Sequence, residues 1–168
     1  MFLENTLLTI VIFLPLMGAL LLFLLPGIVR HHAQWIALGI AAFEFGLSIL
    51  IFDFFDPSTH LLQLVQKTPW IPSLGVSYFI GIDGISLWLV CLTTFLTPVV
   101  ILASEIKDRG YLASFLILET AMVGTFLALD LLLFYLFWEM MLIPMYFIIG
   151  MWGGARRIYA TLKFFIYT

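Results

Sequence analysis

Long stretches without a charged side chain constrain this sequence more than any other feature. Residues 5–29 and residues 84–104 contain no Asp, Glu, Lys or Arg, and a helix needs ~20 mainly apolar residues to cross the hydrocarbon core of a membrane. Hydrophobic residues make up 64% of the chain and charged residues 10%, which excludes both a soluble globular domain and a disordered chain. The sequence therefore predicts an all-α polytopic membrane protein.

The apolar stretches predict five complete transmembrane helices and the start of a sixth, all in a single transmembrane domain over residues 1–168. The predicted spans are residues 6–29, 33–52, 84–104, 111–129, 131–151 and, incomplete, 158–168. A signal peptide is the alternative for the first stretch. It is disfavoured because the stretch is too long, Glu4 makes the flank acidic, and no small-residue cleavage site follows.

Basic residues are distributed unevenly among the connections between spans. The odd connections hold Arg30, Lys107, Arg109, Arg156 and Arg157, whereas the long second connection holds only Lys67. Because Lys and Arg accumulate in cytoplasmic loops, we expect residues 30–32, 105–110 and 152–158 to lie inside. The N-terminus and residues 53–83 are then outside.

The outer connection, residues 53–83, is the only long segment between spans. Pro72 and Gly75 bracket a turn, and the residues after it alternate small or polar with large apolar side chains. We predict a short β-hairpin on the outer surface, with Trp70 and Tyr78 suited to the interfacial belt. A helix–loop arrangement is the weaker alternative.

Several classes of function find no support in the sequence. The net charge is −3 and the charges are scattered, without the basic face that nucleic-acid binding needs. The single cysteine, Cys91, cannot form an intrachain disulfide or a metal cluster. His31 and His32 are adjacent, and neighbours at i and i+1 do not share a helix face, so we predict no metal site. Phosphate-binding and dinucleotide-binding motifs are absent.

Three carboxylates lie within predicted spans, namely Glu44, Glu119 and Glu139. A charge at the bilayer centre costs ~2.5–3.5 kcal/mol on insertion scales, and such residues commonly mark proton or ion paths. The alternative for each is a protonated Glu that is hydrogen-bonded in the bundle. The fourth and fifth spans turn at Asp130, which places Glu119 and Glu139 ~16 and ~14 Å from the same membrane edge. Whether the two face each other is left open.

Pro144 follows Glu139 by five residues and has no N–H to donate to the carbonyl of Met140. The helix is therefore expected to be loosened beside the carboxylate. We predict that Glu139 is a proton relay, with Glu119 as a secondary proton site and Pro144 as the helix break. A simple packing kink at Pro144 is the alternative, and the role of Glu44 stays open.

The most distinctive segment is residues 137–147, Phe-Trp-Glu-Met-Met-Leu-Ile-Pro-Met-Tyr-Phe. It closely resembles the signature of the antiporter-like membrane subunits of respiratory complex I, the proton-pumping NADH:quinone oxidoreductase, and most of all subunit M (chain 4). Shorter matches support this resemblance at residues 82–86, 126–130, 152–154 and 163–168.

The resemblance implies that Glu139 matches a Glu on the fifth helix, which pairs with a Lys on the seventh. The chain stops at Thr168 within helix six, so it would be an N-terminal fragment without that lysine. Lys163 matches the start of helix six and is not expected to replace it. The resemblance also implies other membrane subunits of complex I as partners and a multi-pass location in the bacterial inner membrane, with an organelle membrane as the alternative.

According to the same resemblance, this chain binds no cofactor, and NADH, flavin, iron–sulfur clusters and the quinone belong to other subunits of the enzyme complex. Two other functions are kept as alternatives. One is a subunit of an Mrp-type cation/proton antiporter, which shares the intramembrane Glu. The other is a structural membrane scaffold, in which Glu139 is merely packed and its replacement by Gln has no effect.

Overall fold

Five apolar helical spans and one β-hairpin make up the computed structural model of this chain, which describes residues 6–24 and 32–168. The helices are α1 (Leu7–Leu24), α2 (Ala33–Phe54), α3 (Gly84–Ala103), α4 (Arg109–Leu127), α5 (Leu131–Met140), α6 (Leu142–Trp152) and α7 (Arg157–Tyr167). Helices α5 and α6 together form the fifth span. The strands are β1 (Gln63–Ile71) and β2 (Val76–Ile82). The predicted fold class is confirmed.

Some sequence-based expectations fall outside the described part of the chain. Helix α1 is described as far as Leu24, so the last five residues of the predicted first span cannot be compared. The N-terminal residues 1–5, together with Arg30 and His31 of the predicted first inner connection, also lie outside the described residues. Helix α2 continues to Phe54, two residues beyond its predicted end.

An aspartate caps the first turn of three spans. The Asp83 carboxylate accepts the N–H groups of Ile85 and Ser86 at 3.0 and 2.7 Å, and the Ser86 hydroxyl accepts the Asp83 N–H at 2.9 Å. The hydrogen bonds that Ser86 donates to the carboxylate, above all from its N–H, lower the pKa of Asp83. Asp108 and Asp130 cap α4 and α5 in the same way. The first N–H groups of a helix have no partner within the helix, so these caps satisfy them where each span begins.

Helix α4 is the central element of the bundle and contacts α1, α2, α3, α5 and α6. In the apolar stretch of α4, 61% of the residues are buried, whereas in that of the fifth span only 17% are buried. One group of buried apolar residues joins helices α1 through α5 with the hairpin, and a second joins α1, α2, α3 and α4. The fifth span therefore lies at the periphery and presents a wide apolar surface.

Strands β1 and β2 pair as an antiparallel hairpin, which confirms the predicted hairpin in the second connection. Its turn is a 3-10 helix, Pro72–Leu74, followed by Gly75 at a φ of 69°, a left-handed conformation that glycine adopts without strain. In α1, the Thr9 hydroxyl is 2.6 Å from Gln66 Oε1 and 3.1 Å from the Tyr78 hydroxyl. These contacts fasten the hairpin to the beginning of α1.

The connection between α4 and α5 also lies against the hairpin. The Leu129 N–H donates to the Phe79 carbonyl at 2.8 Å, and Ala128 forms a bridge with Ile80. The Asp130 carboxylate accepts the Ser77 N–H at 3.1 Å while it caps α5 through Leu132 and Leu133. The hairpin, the beginning of α1 and the α4–α5 connection therefore lie at one end of the bundle, as the alternating topology requires.

Replacement of Asp130 should loosen this end of the bundle. Its pKa is lowered, mainly by the Ser77 N–H, so its contribution to stability is complete above the unfolded pKa of about 3.9 and is lost as the pH falls through the folded value. We expect Asp130→Ala to lower the apparent Tm in detergent at pH 7, and we expect the difference from wild type to shrink below about pH 4.

Asp130→Asn is the matched control, because its side-chain oxygen can still cap the helix. It should lose less stability at pH 7 than the Ala variant. An equal Tm for wild type and Asp130→Ala at pH 7 would show that the contact with the hairpin contributes nothing.

Candidate proton relay and a buried carboxyl pair

Glu139 lies on α5 just before the fifth span is interrupted. The regular pattern of helical hydrogen bonds is interrupted at Met141, between Met140 and Leu142, although Met141 itself keeps helical dihedral angles, with φ −64° and ψ −29°. Around the break the backbone hydrogen bonds are long, with 3.3 Å from the Met141 N to the Trp138 O and 3.4 Å from the Met145 N to the Met141 O. Pro144, which has no N–H, lies in the first turn of α6. The carboxyl group is thus next to a short length of weakened backbone in mid-span.

Glu139 points away from the centre of the bundle. Phe137 is buried and lies directly over Gly124 of α4, where an added Cβ would overlap its ring. Two residues correspond to ~200° of rotation around a helix, so Glu139 is on the side of α5 opposite Phe137. Glu139 is half-buried, and its carboxyl group lies beside the hydroxyl of Tyr135, one turn earlier. This orientation leaves it accessible to a group outside the α1–α4 bundle.

Glu119 faces Glu44 of α2 instead of Glu139. The two carboxyl groups interact directly, and both side chains are 0% exposed. Glu119 and Gly124 are separated by five residues, or ~140° around α4, so α4 stands between Glu119 and the face on which α5 packs. The question left open by the sequence is thereby answered, because Glu119 and Glu139 lie at similar depth on different sides of one helix.

Sequence reasoning missed both the Glu44–Glu119 pair and the hydroxyls that surround it. Ser48 of α2 and Thr94 of α3 are hydrogen-bonded at 2.7 Å, and the Thr97 side chain lies beside Glu119. The sequence offered one indication of this pair, namely a similar depth in the membrane. Glu44 is ten residues before the end of α2, and Glu119 is eight residues before the end of α4. Depth alone does not indicate which faces meet.

Lys163 is on α7, with its ammonium group 5.9 and 5.7 Å from the ring centroids of Tyr159 and Tyr167. Among the residues that the structure describes, no group of three or more His, Cys, Asp or Glu is arranged to hold a metal ion. The chemistry offered by Glu44, Glu119 and Glu139 is that of carboxyl groups in an apolar bundle. Such groups can bind and release protons.

A family model described as "NADH:quinone oxidoreductase/Mrp antiporter, TM" matches residues 128–168, which include Glu139 and Pro144. The fold and this segment are therefore similar to those of the NADH:quinone oxidoreductase and Mrp antiporter membrane proteins that the description names. Among curated relatives, NADH-quinone oxidoreductase subunit M of Rhodobacter capsulatus is 46% identical over 172 residues, which cover 98% of this chain and 33% of that protein. The predicted resemblance to subunit M is confirmed.

Solved structures show the same architecture. A chain of respiratory complex I from Thermus thermophilus superimposes with a TM-score of 0.82 at 26% identity, covering 95% of this chain and 32% of the other. The Mrp complex of Dietzia sp. matches with a TM-score of 0.71 at 19% identity, over 95% of this chain and 17% of its own, a likeness of fold alone. This chain spans about a third of the length of the subunit M relative.

The contact between Gly124 and Phe137 determines how α5 sits on α4, and with it the position of Glu139. In Gly124→Ala the new Cβ would overlap the Phe137 ring, and overpacking of this kind typically costs about 1–3 kcal/mol. We expect a lower apparent Tm for the purified protein in detergent. Gly124→Ala should lower the Tm less in a Phe137→Leu background than in wild type. If the effects of the two substitutions are simply additive, the contact is contradicted.

Proposed function

We propose that the protein is the proton-translocating, antiporter-like subunit of an NADH:quinone oxidoreductase, and that Glu139 is its proton relay. The observation that carries the proposal is the placement of Glu139 in mid-span, beside the interruption at Met141 and on the outward side of α5. A carboxyl group within a membrane is costly and usually functional. The similarity to subunit M over 98% of this chain supports the assignment.

The interruption gives the relay its chemical context. Backbone groups freed from helical hydrogen bonds within a membrane are tolerated where protein or water satisfies them, so the break at Met141 favours water or a polar neighbour close to Glu139. Such a neighbour could deliver a proton to the carboxyl group or remove it. A cationic partner that approaches would favour the ionised form, and its retreat would favour the protonated form. We propose the family's lysine for this partner, outside this chain.

Redox chemistry is proposed to take place elsewhere in the assembly. NADH, flavin, iron–sulfur clusters and quinone are assigned to other subunits, and this chain takes part in the enzyme reaction through proton movement. The wide exposed surface of the fifth span needs lipid or neighbouring helices to cover it. We propose that further membrane subunits of the complex do so, in a bacterial inner membrane.

An Mrp-type cation/proton antiporter is the second candidate. The family model's description includes the Mrp antiporters, and the Dietzia Mrp complex shares the fold. The two functions differ in their driving reaction. An antiporter subunit would exchange protons for cations without NADH, whereas the proposed function requires NADH oxidation. A structural scaffold, the third alternative, would be indifferent to the charge of Glu139.

The proposed orientation can be tested with two engineered cysteines in a Cys91→Ala background. Ser73 lies in the hairpin turn and Ala155 between α6 and α7, and both are exposed. Because basic residues accumulate on the inner side, we expect an impermeant thiol reagent added to intact cells to modify Ser73→Cys and not Ala155→Cys. The reverse labelling pattern would show that the orientation is opposite to the one proposed. Labelling after permeabilisation controls for reactivity.

The relay assignment predicts that Glu139→Gln abolishes most NADH-driven proton pumping and leaves assembly intact. Gln preserves the shape of the side chain but cannot exchange a proton. Glu139→Asp should retain part of the activity, and Glu119→Gln should have a smaller effect than Glu139→Gln. The measurement is proton uptake by inside-out vesicles, with the amount of complex determined on a native gel.

Glu105→Gln is the control, because Glu105 is exposed in the connection between α3 and α4. It should pump like wild type. Wild-type pumping by a fully assembled Glu139→Gln complex would reject the relay and leave the scaffold interpretation. Loss of NADH-independent cation/proton exchange in the same vesicles would favour the antiporter instead.

A further inference from the structure

A second group of carboxyls lies in the bundle on the far side of α4 from Glu139. Glu44 of α2 and Glu119 of α4 are both fully buried, and their carboxyl groups interact. The two residues come from different helices that are 75 positions apart in the sequence, so only the packing of α2 on α4 brings them together. The relay proposed for Glu139 makes no use of either group.

Within the described residues, none of the four carboxyl oxygens of Glu44 and Glu119 has a hydrogen-bond partner. The buried hydroxyl of Thr120, the next residue on α4, is also without one. Buried polar groups in proteins nearly always have partners, and an isolated buried carboxylate is much more costly than an unpaired neutral group. As two carboxylates, Glu44 and Glu119 could only accept hydrogen bonds, and neither could satisfy the other.

Three nearby hydroxyl groups each have a carbonyl oxygen of their own helix within hydrogen-bond distance. Thr97, which lies beside Glu119, donates its hydroxyl proton to the Thr93 carbonyl at 3.1 Å. Thr94 is within 3.1 Å of the Val90 carbonyl, and Ser48 is 2.8 Å from the Phe45 carbonyl. Each of these three hydroxyls can give its proton to a backbone carbonyl and act as an acceptor toward the pair.

Charged side chains on the helices that surround the pair are few. The described part of α1 contains no ionisable residue, and α3 contains only the thiol of Cys91. Besides the pair, α2 has Asp53 next to its last residue, and α4 has Arg109 and Tyr111 in its first turn. Asp53, Arg109 and Tyr111 are near helix ends, whereas Glu44 and Glu119 are in mid-span, so the described helices around the pair offer no cation at its depth.

We propose that Glu44 and Glu119 form a second proton-binding site, in which one proton is shared between the two carboxyl groups. The protonated carboxyl donates to the carboxylate of the other, so that each group gains a hydrogen-bond partner within the pair. The pair then carries one negative charge instead of two, because two adjacent carboxylates in an apolar interior do not ionise together. The inference stands on the contact, the burial and the unpartnered oxygens, and it does not depend on the role of Glu139.

The site is tested by infrared spectroscopy of the full-length protein reconstituted in lipid, which detects the carbonyl band of a protonated carboxylic acid. We expect such a band in wild type at neutral pH, shifted in D2O. Glu44→Gln and Glu119→Gln should each shift the band, because the remaining acid then donates to an amide instead of a carboxylate. The Glu44→Gln/Glu119→Gln double variant should lose it.

Two further variants separate this site from others. Glu105→Gln removes an exposed carboxyl and should leave the band unchanged. Glu139→Gln should also leave it unchanged, whatever happens to proton pumping, so that failure of this proposal and failure of the relay are distinguishable. A band that disappears with Glu139→Gln would assign the protonated acid to Glu139 and overturn the proposal.

Other results would also reject the shared proton. These are a wild-type spectrum without the acid band, and a band that neither single variant shifts. A third is a band that appears only when sodium in the buffer is replaced by choline, because the pair would then hold a cation instead of a proton. If the double variant does not fold, the single variants and the sodium comparison still decide between these outcomes.

Discussion

The satisfaction of backbone polar groups in a medium without water is the constraint on which the rest of this structure depends. In hydrocarbon each unpaired N–H or C=O costs several kcal/mol, so a spanning segment has to be helical. The spans obey this rule, and three of them begin at an aspartate that accepts the first free N–H groups. The two strands leave backbone groups unpaired at the outer edges of their sheet, and they lie at one end of the bundle. The weakest point is Met141, where the backbone stays helical but its hydrogen bond is long, and it lies two residues after Glu139.

Helix α4 separates two kinds of carboxyl chemistry. On one side Glu119 meets Glu44, enclosed by α2 and α3, and neither group is exposed. On the other side α5 packs through Phe137 on Gly124, which directs Glu139 outward. The enclosed pair suits a site that holds a proton, and the half-buried Glu139 suits one that exchanges it with a neighbouring group. Both are about equally deep in the bundle, so a single layer of the membrane domain contains all three carboxyls.

The hairpin connects separate parts of the chain at one end of the bundle. Its strands contact α1 through Thr9 and the α4–α5 connection through Leu129 and Asp130. Tyr78 is half-buried there, and burial raises the pKa of its hydroxyl above its ordinary value, so the contact with Thr9 is one between two neutral hydroxyl groups. The helices that carry Glu119 and Glu139 are thus joined by a connection that is itself held in place. Their relative depth is therefore well defined.

The sequence by itself determined the class of fold, the number of spans, the hairpin and the mid-span depth of the three glutamates. These features follow from local quantities: the length of apolar runs, the positions of Asp, Pro and Gly, and the rise per residue of a helix. The resemblance carried by residues 137–147 depends equally on contiguous residues. A local pattern along one helix can be recognised without knowledge of the neighbouring helices.

Only the tertiary structure decided which glutamates meet. All the spans are apolar around their whole circumference, so no stripe in the sequence indicates which face of α4 turns toward α2 and which toward α5. That choice depends on steric fit, such as the space above Gly124 that accepts the Phe137 ring. The pairing of Glu44 with Glu119, and the separation of Glu119 from Glu139, are consequences of close packing between residues far apart in the chain.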